Sequence, residues 1–343
     1  MKKFGGLALL VVILAVGVYY LMNLKEAEEN ATEEPMADFS IQDTANIAKF
    51  KISDTEGNEI TITREKTGNT WMIGETGYKA QPYNANLILA TFYSVEKLRD
   101  VNDNEKDNAI SKLGARHQKV EVWNKGDKDP FKTWFVGGST NDHKGTHMLL
   151  KKGNKKSSVP YIMYKPGMNG TLDIRFFTSF KDWRFSGVFN IARKDIKQIK
   201  VTFNKRHNDS YTAVNNGDGE YALLDGAGMA IPMFDTSHVS HYFTHYKKIH
   251  FEKVNDELYE DQVDSIFRLI PDMEIKLEDT KGNTTQAELW LIQMPEGFLD
   301  ANGRPVEFDP ERAWCRLNGD KELVKIQFYS WDVLFKPLPY FVP

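Results

Sequence analysis

The segment of this chain best suited to metal chemistry is a row of histidines with an aspartate before it. Its members are Asp235, His238, His241 and His245. On an α-helix, positions i, i+3 and i+7 lie along one stripe, so the three imidazoles could converge on a zinc or copper ion. The same helix would present an adjoining apolar face, formed by Val239, Tyr242, Tyr246 and Ile249. The alternative is therefore a row of histidines at the boundary between core and solvent.

Other short motifs in the chain lack the partners that their chemistry requires. No His-Glu-x-x-His sequence accompanies the histidine row, and this motif supplies two zinc ligands and a general base in metalloproteases. Ser94–Lys97 matches Ser-x-x-Lys without the other motifs of that enzyme class. Gly217–Gly219 lacks the rest of a phosphate-binding fingerprint. We predict that the protein is not an enzyme and has no cofactor. An extracytoplasmic metal-dependent or hydrolytic enzyme, resting on the histidine row alone, is the alternative.

A second feature suits an interaction surface. Four lysines lie within the six residues Lys151–Lys156, around Gly153 and Asn154. Such a loop could contact anionic lipid or an acidic partner. The alternative is an ordinary solvated hairpin tip, because exposed lysines are common at protein surfaces.

The first 24 residues predict a membrane anchor. Lys2 and Lys3 precede the uncharged run Phe4–Leu24, which as a helix would span about 31 Å and match a hydrocarbon core of about 30 Å. The positive end is expected to stay in the cytoplasm, so that everything after Lys25 lies outside. The alternative is a cleaved signal peptide, but its apolar region is usually about 7–15 residues long.

Several short patterns occur twice, in the same order, along the rest of the chain. Phe39-x-Ile41 and Phe50-x-Ile52 return as Phe189-x-Ile191 and Ile199-x-Val201, and Val120-x-Val122 returns as Ile275-x-Leu277. A repeat this long indicates a duplicated domain, since solenoid repeats are about 20–50 residues long. The predicted organisation is an anchor over residues 1–24, an acidic spacer over 25–38, a first repeat over 39–185 and a second repeat over 186–343.

Alternating apolar residues predict the strands that begin the first repeat. Phe50 and Ile52 alternate with lysines, Ile60 and Ile62 alternate with threonines, and a turn at Asp54–Asn58 lies between them. The period becomes helical over Asn84–Arg99 in the first repeat and over Ser237–His250 in the second. We therefore predict an α+β protein. An N-terminal transmembrane helix is followed by two duplicated domains, each a mainly antiparallel sheet with one principal helix.

The charge of the chain excludes one class of partner. The 343 residues carry a formal net charge of −4, which lacks the basic character expected of a nucleic-acid-binding protein. Cys315 is the single cysteine, so the chain forms no intramolecular disulfide. Because this is compatible with either side of a membrane, cysteine usage does not indicate the compartment.

A group of motifs in the first repeat is specific in combination. They are Gly145–Leu150, Pro166–Gly170, Arg175-Phe176 and Asp182-Trp183-Arg184, together with Phe39-x-Ile41-x-Asp43-Thr44 and Trp71. With these motifs, the chain from Phe39 onward resembles the bacterial domain-of-unknown-function 4340 family. His147 stands where that family usually has an aromatic residue, and Phe185 stands where a second arginine is usual.

The resemblance implies an envelope protein with one N-terminal membrane segment, sometimes associated with ABC-type transport systems of the gliding-motility kind. It implies no reaction and no catalytic residues. Together with the predicted anchor, it indicates a single-pass protein of the bacterial cytoplasmic (inner) membrane, with a cytoplasmic N-terminus and the bulk outside.

We predict a binding or accessory role for this protein. Membrane lipid around residues 4–24 and an envelope protein, such as an ABC-type transporter, are the expected partners, and nucleic acid is not. A purely structural envelope protein without a ligand is a further alternative.

Overall fold

The computed structural model describes residues 35–66, 68–300 and 302–343. The chain divides into two units, of which the first ends at Phe185 and the second is Ser186–Pro343. The predicted anchor and residues 25–34 of the predicted spacer lie outside the described residues. Within the part that the structure describes, no helix is long and apolar enough to cross a membrane.

The first unit is built on a nine-stranded antiparallel sheet. Its strands are β1 (Ile47–Asp54), β2 (Glu59–Arg64), β3 (Trp71–Ile73), β4 (Glu96–Asp100), β5 (Gln118–Asn124), β6 (Lys132–Ser139), β7 (Thr146–Lys152), β8 (Lys155–Lys156) and β9 (Tyr161–Tyr164). The strand order is β3-β2-β1-β5-β6-β7-β9-β4, with β8 beside β7. The strands that flank the first helix, β3 and β4, therefore stand at opposite edges of the sheet.

The second unit has a small ladder and a larger sheet. Strands β10 (Gly187–Phe189) and β14 (Ile249–His250) form the ladder. The sheet contains β11 (Ile196–Phe203), β12 (Tyr211–Gly217), β13 (Glu220–Asp225), β15 (Lys253–Val254), β16 (Met273–Asp279), β17 (Thr284–Gln293), β18 (Phe308–Leu317) and β19 (Leu323–Gln327). Its order is β13-β12-β11-β16-β17-β18-β19-β15.

The two large sheets have the same connectivity. The two strand orders match position by position. The strands of the first unit, β1 to β7 and β9, correspond in turn to β11, β12, β13, β15, β16, β17, β18 and β19, and β8 has no counterpart among the described strands. The register agrees as well, because Phe50 lies opposite Val122 and Ile199 lies opposite Leu277. Two copies of one domain produce this arrangement, so equivalent positions in the two units can be compared directly.

The helices are few and short. They are α1 (Pro82–Ser94), α2 (Asp103–Ala115), α3 (Phe180–Trp183), α4 (Thr236–Tyr242), α5 (Glu260–Phe267) and α6 (Phe328–Trp331). In α1, proline occupies the first turn, where its missing N–H has no helical partner to lose. The buried residues Ala85, Ile88 and Phe92 follow helical spacing and face the sheet.

The predicted α+β class, with one principal helix in each domain, is wrong. The described residues form mainly antiparallel sheet, and each unit has several short helices. The predicted helix over Asn84–Arg99 ends at Ser94, and Glu96–Asp100 is the edge strand β4. All five residues of β4 are exposed, so this strand lacks the apolar alternation by which strands are predicted. Helix α2 buries only Ala109 and Leu113, so its sequence has little of the apolar periodicity by which helices are predicted.

Interlocking aromatic side chains fill the core of the first unit. Phe92 of α1 packs edge-on against Trp134 of β6, with ring centroids 5.0 Å apart, and against Phe50 of β1 at 5.8 Å. Phe39 and Phe176 pack against other sides of the same indole. The core of the second unit uses Tyr211, Tyr242 and Phe341 in a comparable cluster. The residue that corresponds to Trp134 there is Ala287.

Trp134→Ala is expected to destabilise the first unit by about 3–5 kcal/mol, because it removes the fully buried indole at the centre of this cluster. The measurement is hydrogen exchange of the strands around β6 at increasing urea concentration, read by mass spectrometry. Tyr329→Ala, at a side chain that is 97% exposed, is the control and is expected to change stability by less than about 0.5 kcal/mol. If hydrogen exchange in these strands had the same urea dependence in both variants, Trp134 would not be the centre of this cluster.

Candidate anion-binding site

The histidine row does not form one stripe. Asp235 caps α4, and its carboxylate accepts the backbone N–H of His238 at 2.9 Å, as an N-cap residue does. The ring of His238 stacks on Tyr340 with centroids 4.7 Å apart, and its Nδ1 lies 3.1 Å from the Tyr340 carbonyl oxygen. Asp235 and His238 therefore serve the start of the helix and its contact with the C-terminal segment.

His241 and His245 form a separate pair. Helix α4 ends at Tyr242 and continues as a 3-10 turn over Phe243–Lys247, so the spacing of a continuous α-helix is lost between them. Their rings meet edge-on, with centroids 4.8 Å apart. Partial burial, and then the nearby His241 and Lys336, lower the pKa of His245. Within the described ranges, no group of three or more His, Cys, Asp or Glu side chains is arranged to hold a metal ion.

The best candidate for ligand binding is a pocket in the first unit, between the β2–β3 edge of the sheet and α1. Its volume is about 540 Å³, within the range of about 300–1,000 Å³ typical of small-molecule sites. The lining combines cations and amides with apolar side chains, including Arg64, Lys79, Asn86, Trp71 and Leu89. None of the described residues that line it is acidic. We call this site the Arg64 pocket.

The sheet fixes the guanidinium of Arg64. Arg64 is the last residue of β2 and lies directly opposite Trp71, the first residue of β3. Its guanidinium carbon lies 4.6 Å from the centroid of the Trp71 ring, a distance at which cation and ring attract. Its Nη2 donates to the carbonyl oxygen of Thr44 at 3.0 Å. The side chain is therefore held in one place by a strand pair, a ring and a carbonyl.

The charge of Arg64 is not neutralised by the surrounding protein. Its Nε–H is buried without a hydrogen-bond partner, and no carboxylate among the described residues pairs with the guanidinium. Burial lowers the pKa of Arg64, but arginine stays protonated in proteins because its ordinary pKa lies far above neutral pH. No carboxylate of the described residues therefore competes for the guanidinium with an anion that enters the pocket.

Lys79 adds a second positive charge at the wall of the pocket. It is exposed, and no ion pair involves it within the described part of the chain. The backbone around it is tied to the sheet, because Ala80 N–H donates to the Trp71 carbonyl at 2.7 Å and Lys79 pairs with Met72 in an isolated bridge. The backbone of both residues therefore belongs to the paired edge of the sheet.

The second unit shows what the same position does without a charge. Asn215 of β12 corresponds to Arg64, and Tyr221 of β13 corresponds to Trp71, because each pair is directly opposite in the same place of the sheet. The Nδ2 of Asn215 donates to the carbonyl of Arg193 at 3.2 Å, as Arg64 does to the carbonyl of Thr44 in the equivalent 3-10 turn. A neutral amide therefore satisfies the structural need.

Other pockets carry mixed charges. The pocket beside α2 contains Arg99 and Lys112 but also Glu105 and Asp142, together with His147. A pocket of about 550 Å³ beside α5 contains Arg316. That arginine is already held by Glu288 through hydrogen bonds of 2.6 and 2.9 Å. The Arg64 pocket differs from both in having a net positive lining.

Three comparisons with known proteins give no match for this chain. No protein-family model, no curated protein and no solved structure gives a match.

Sequence motifs gave no signal for Arg64 or Lys79. The repeat was the one sign in the sequence. When the two copies are aligned, the first has an arginine at the end of its second strand where the second has an asparagine. Trp71 belonged to the motifs that carry the family resemblance, but its role as the platform under Arg64 becomes visible only in the paired strands.

The histidine pair supplies a test of the local electrostatics. In NMR titrations of the imidazole signals, His245 is expected to have a pKa below the ordinary value of about 6.5. The unfolded chain then binds this proton more tightly than the folded protein. The free energy of unfolding therefore rises with pH between the lowered pKa and about 6.5.

His241→Ala is the companion variant for this titration. It is expected to raise the pKa of His245 only part of the way, because burial is the larger cause. A pKa of His245 at or above about 6.5 in the native protein would contradict the described environment.

Proposed function

We propose that this protein binds a small anionic ligand in the Arg64 pocket of its first unit and has a binding role rather than a catalytic one. The observation that carries the proposal is the guanidinium of Arg64. It is immobilised by Trp71 and the Thr44 carbonyl, and it has no carboxylate partner among the described residues. The second unit has a neutral asparagine at the equivalent position, which supports a ligand-directed role for the charge.

The geometry of Arg64 favours a carboxylate or phosphate group. Arginine carries five N–H donors in a planar fork that matches such groups, and the Thr44 carbonyl is the one protein acceptor that the described residues offer to it. Since the fork is already ordered, the ligand need not supply the free energy to fix it. Hydrogen bonds to charged groups contribute about 1.5–3 kcal/mol, which corresponds to roughly 10–100-fold in affinity.

The remaining lining favours an anion with an apolar part. Trp71 and Leu89 contribute apolar surface next to the cations, and Asn69 and Asn86 offer amides that can donate or accept hydrogen bonds. A fully polar anion would leave that apolar surface in contact with water. The proposed ligand class is therefore a carboxylate or phosphate attached to a compact apolar body.

We also propose that this binding unit is displayed on the outer side of the bacterial cytoplasmic membrane. The support is the sequence of Phe4–Leu24, with Lys2 and Lys3 before it, and the positive-inside rule. The accessory role beside an ABC-type transport system remains a prediction from the family resemblance. The metal-dependent or hydrolytic enzyme and the purely structural envelope protein remain alternatives to the binding role.

The test of the function is thermal unfolding of the full chain with acetate, benzoate and inorganic phosphate, comparing the native protein with Arg64→Asn. This substitution installs the residue that the second unit uses, so the fold is expected to be retained. Benzoate is expected to raise the Tm of the native protein more than acetate does. Arg64→Asn is expected to weaken binding roughly 10–100-fold, as removal of a charge-assisted contact does.

Two further variants make this test specific. Arg116→Asn changes the same charge at an exposed arginine of the same unit and is expected to keep full binding. Arg64→Lys is expected to bind with intermediate affinity, because lysine keeps the charge but not the fork. The proposal fails if native protein and Arg64→Asn respond alike to every anion.

A further inference from the structure

The lysine hairpin, formed by β7, β8 and the turn at Gly153 and Asn154, has an unfavourable arrangement of charge. Lys151 lies directly opposite Lys156, and Lys152 lies directly opposite Lys155. Like charges at directly opposed positions of an antiparallel pair are destabilising. Two such pairs in succession place four positive charges on a hairpin of six residues.

Only part of this charge is compensated. Lys152 forms an ion pair with Asp38 at 2.7 Å. Among the described residues, no carboxylate lies within ion-pair distance of Lys151, Lys155 or Lys156, and the last two are exposed. The neighbouring β5–β6 turn, which meets the hairpin through the Gly153 N–H to Phe131 carbonyl hydrogen bond, offers no net compensation. Its charged residues are Lys125, Asp127, Lys128 and Asp129.

The fold itself does not require these lysines. In the second unit, β18 and β19 correspond to β7 and β9, and the described residues between them form no counterpart of β8. They are joined by Asn318–Glu322, which contains one lysine and two acidic residues. The connection therefore forms with a very different charge. The lysines of the first unit lower the stability of their own hairpin, which points to an anionic partner that offsets the repulsion.

The position of the hairpin indicates which partner. The described chain begins beside it, because Met36 N–H donates to the Ser157 hydroxyl at 3.0 Å and Asp38 pairs with Lys152. Ten residues separate Leu24, the end of the apolar run, from Pro35. Even fully extended, ten residues reach only about 35 Å. With the membrane display proposed above, Pro35 beside the hairpin therefore lies within about 35 Å of the membrane surface.

We propose that the lysine hairpin docks on an anionic membrane surface by contacting the phospholipid headgroups of that membrane. The proposal rests on the membrane display proposed above and is independent of ligand binding in the Arg64 pocket. A planar anionic surface can offset the charges of several lysines at once, and lysines near such a surface are attracted within about a Debye length. Docking would orient the first unit on the membrane.

The experiment is amine-reactive footprinting of the full chain, read residue by residue by mass spectrometry. The protein is reconstituted in vesicles of phosphatidylcholine alone and in vesicles that also contain phosphatidylglycerol, and flotation reports membrane association. Lys321, in the equivalent connection of the second unit, is the control within the same molecule. Labelling of Lys155 and Lys156 is expected to fall several-fold only in the anionic vesicles. Labelling should recover at about 1 M salt, where the Debye length is about 3 Å.

Each other outcome overturns the proposal in a distinguishable way. Labelling of Lys155 and Lys156 as high as that of Lys321 in both vesicles, with normal flotation, shows that the hairpin does not contact lipid. Labelling of Lys155 and Lys156 well below that of Lys321 in both vesicles shows that the counter-charge comes from the protein itself, for which the glutamates of residues 26–34 are the source in the sequence. Failure of flotation removes the membrane display on which docking depends, whereas benzoate binding at Arg64 would remain.

Discussion

Each large sheet depends on a connection that runs from one of its edges to the other. The third strand of each large sheet stands at one edge and the fourth at the other, and a helix lies in the connection between them. Strand β5 then returns to pair with β1, and β16 returns to pair with β11. Phe92 at the end of α1 contacts both Phe50 and Trp134. The crossing thus covers the central strands and creates the core.

The crossing also creates the Arg64 pocket. Helix α1 turns Ala85 and Ile88 into the core, while Asn86 and Leu89, on the adjoining face, line the pocket. Because a helix has about 3.6 residues per turn, core and pocket residues alternate along one element. The edge strands supply the opposite wall, where Arg64 lies over Trp71. A rearrangement of the core would therefore also move the site.

Comparison of equivalent positions in the two units shows which features both share and which occur in one unit alone. A carbonyl of the 3-10 turn before the first strand is held by Asn215 in one unit and by Arg64 in the other. The lysine hairpin and the connection Asn318–Glu322 also differ in charge. The histidine pair belongs to the second unit alone, since the equivalent helix α1 contains no histidine. The charged and titratable side chains thus differ between two units that share one strand order.

Sequence patterns predicted strands that have one buried face and missed strand β4, which has none. The hairpin of β1 and β2 follows from alternation at Phe50, Ile52, Ile60 and Ile62, all buried on one face. Strand β4 is exposed throughout and has no such alternation, so the prediction extended the helix through it and overestimated helical content. Arg64 and Lys79 could not be found, because they are brought together by strand pairing and a backbone bridge rather than by spacing in the sequence.

We propose that the ordered guanidinium of Arg64 receives an anion. The most direct measurement is the NMR signal of its Nε–Hε group in the full chain, followed as benzoate is added. We expect a saturable shift of this signal, while that of Arg116 stays in place. An Arg64 signal that does not move, or arginine signals that all drift together without saturation, would contradict it.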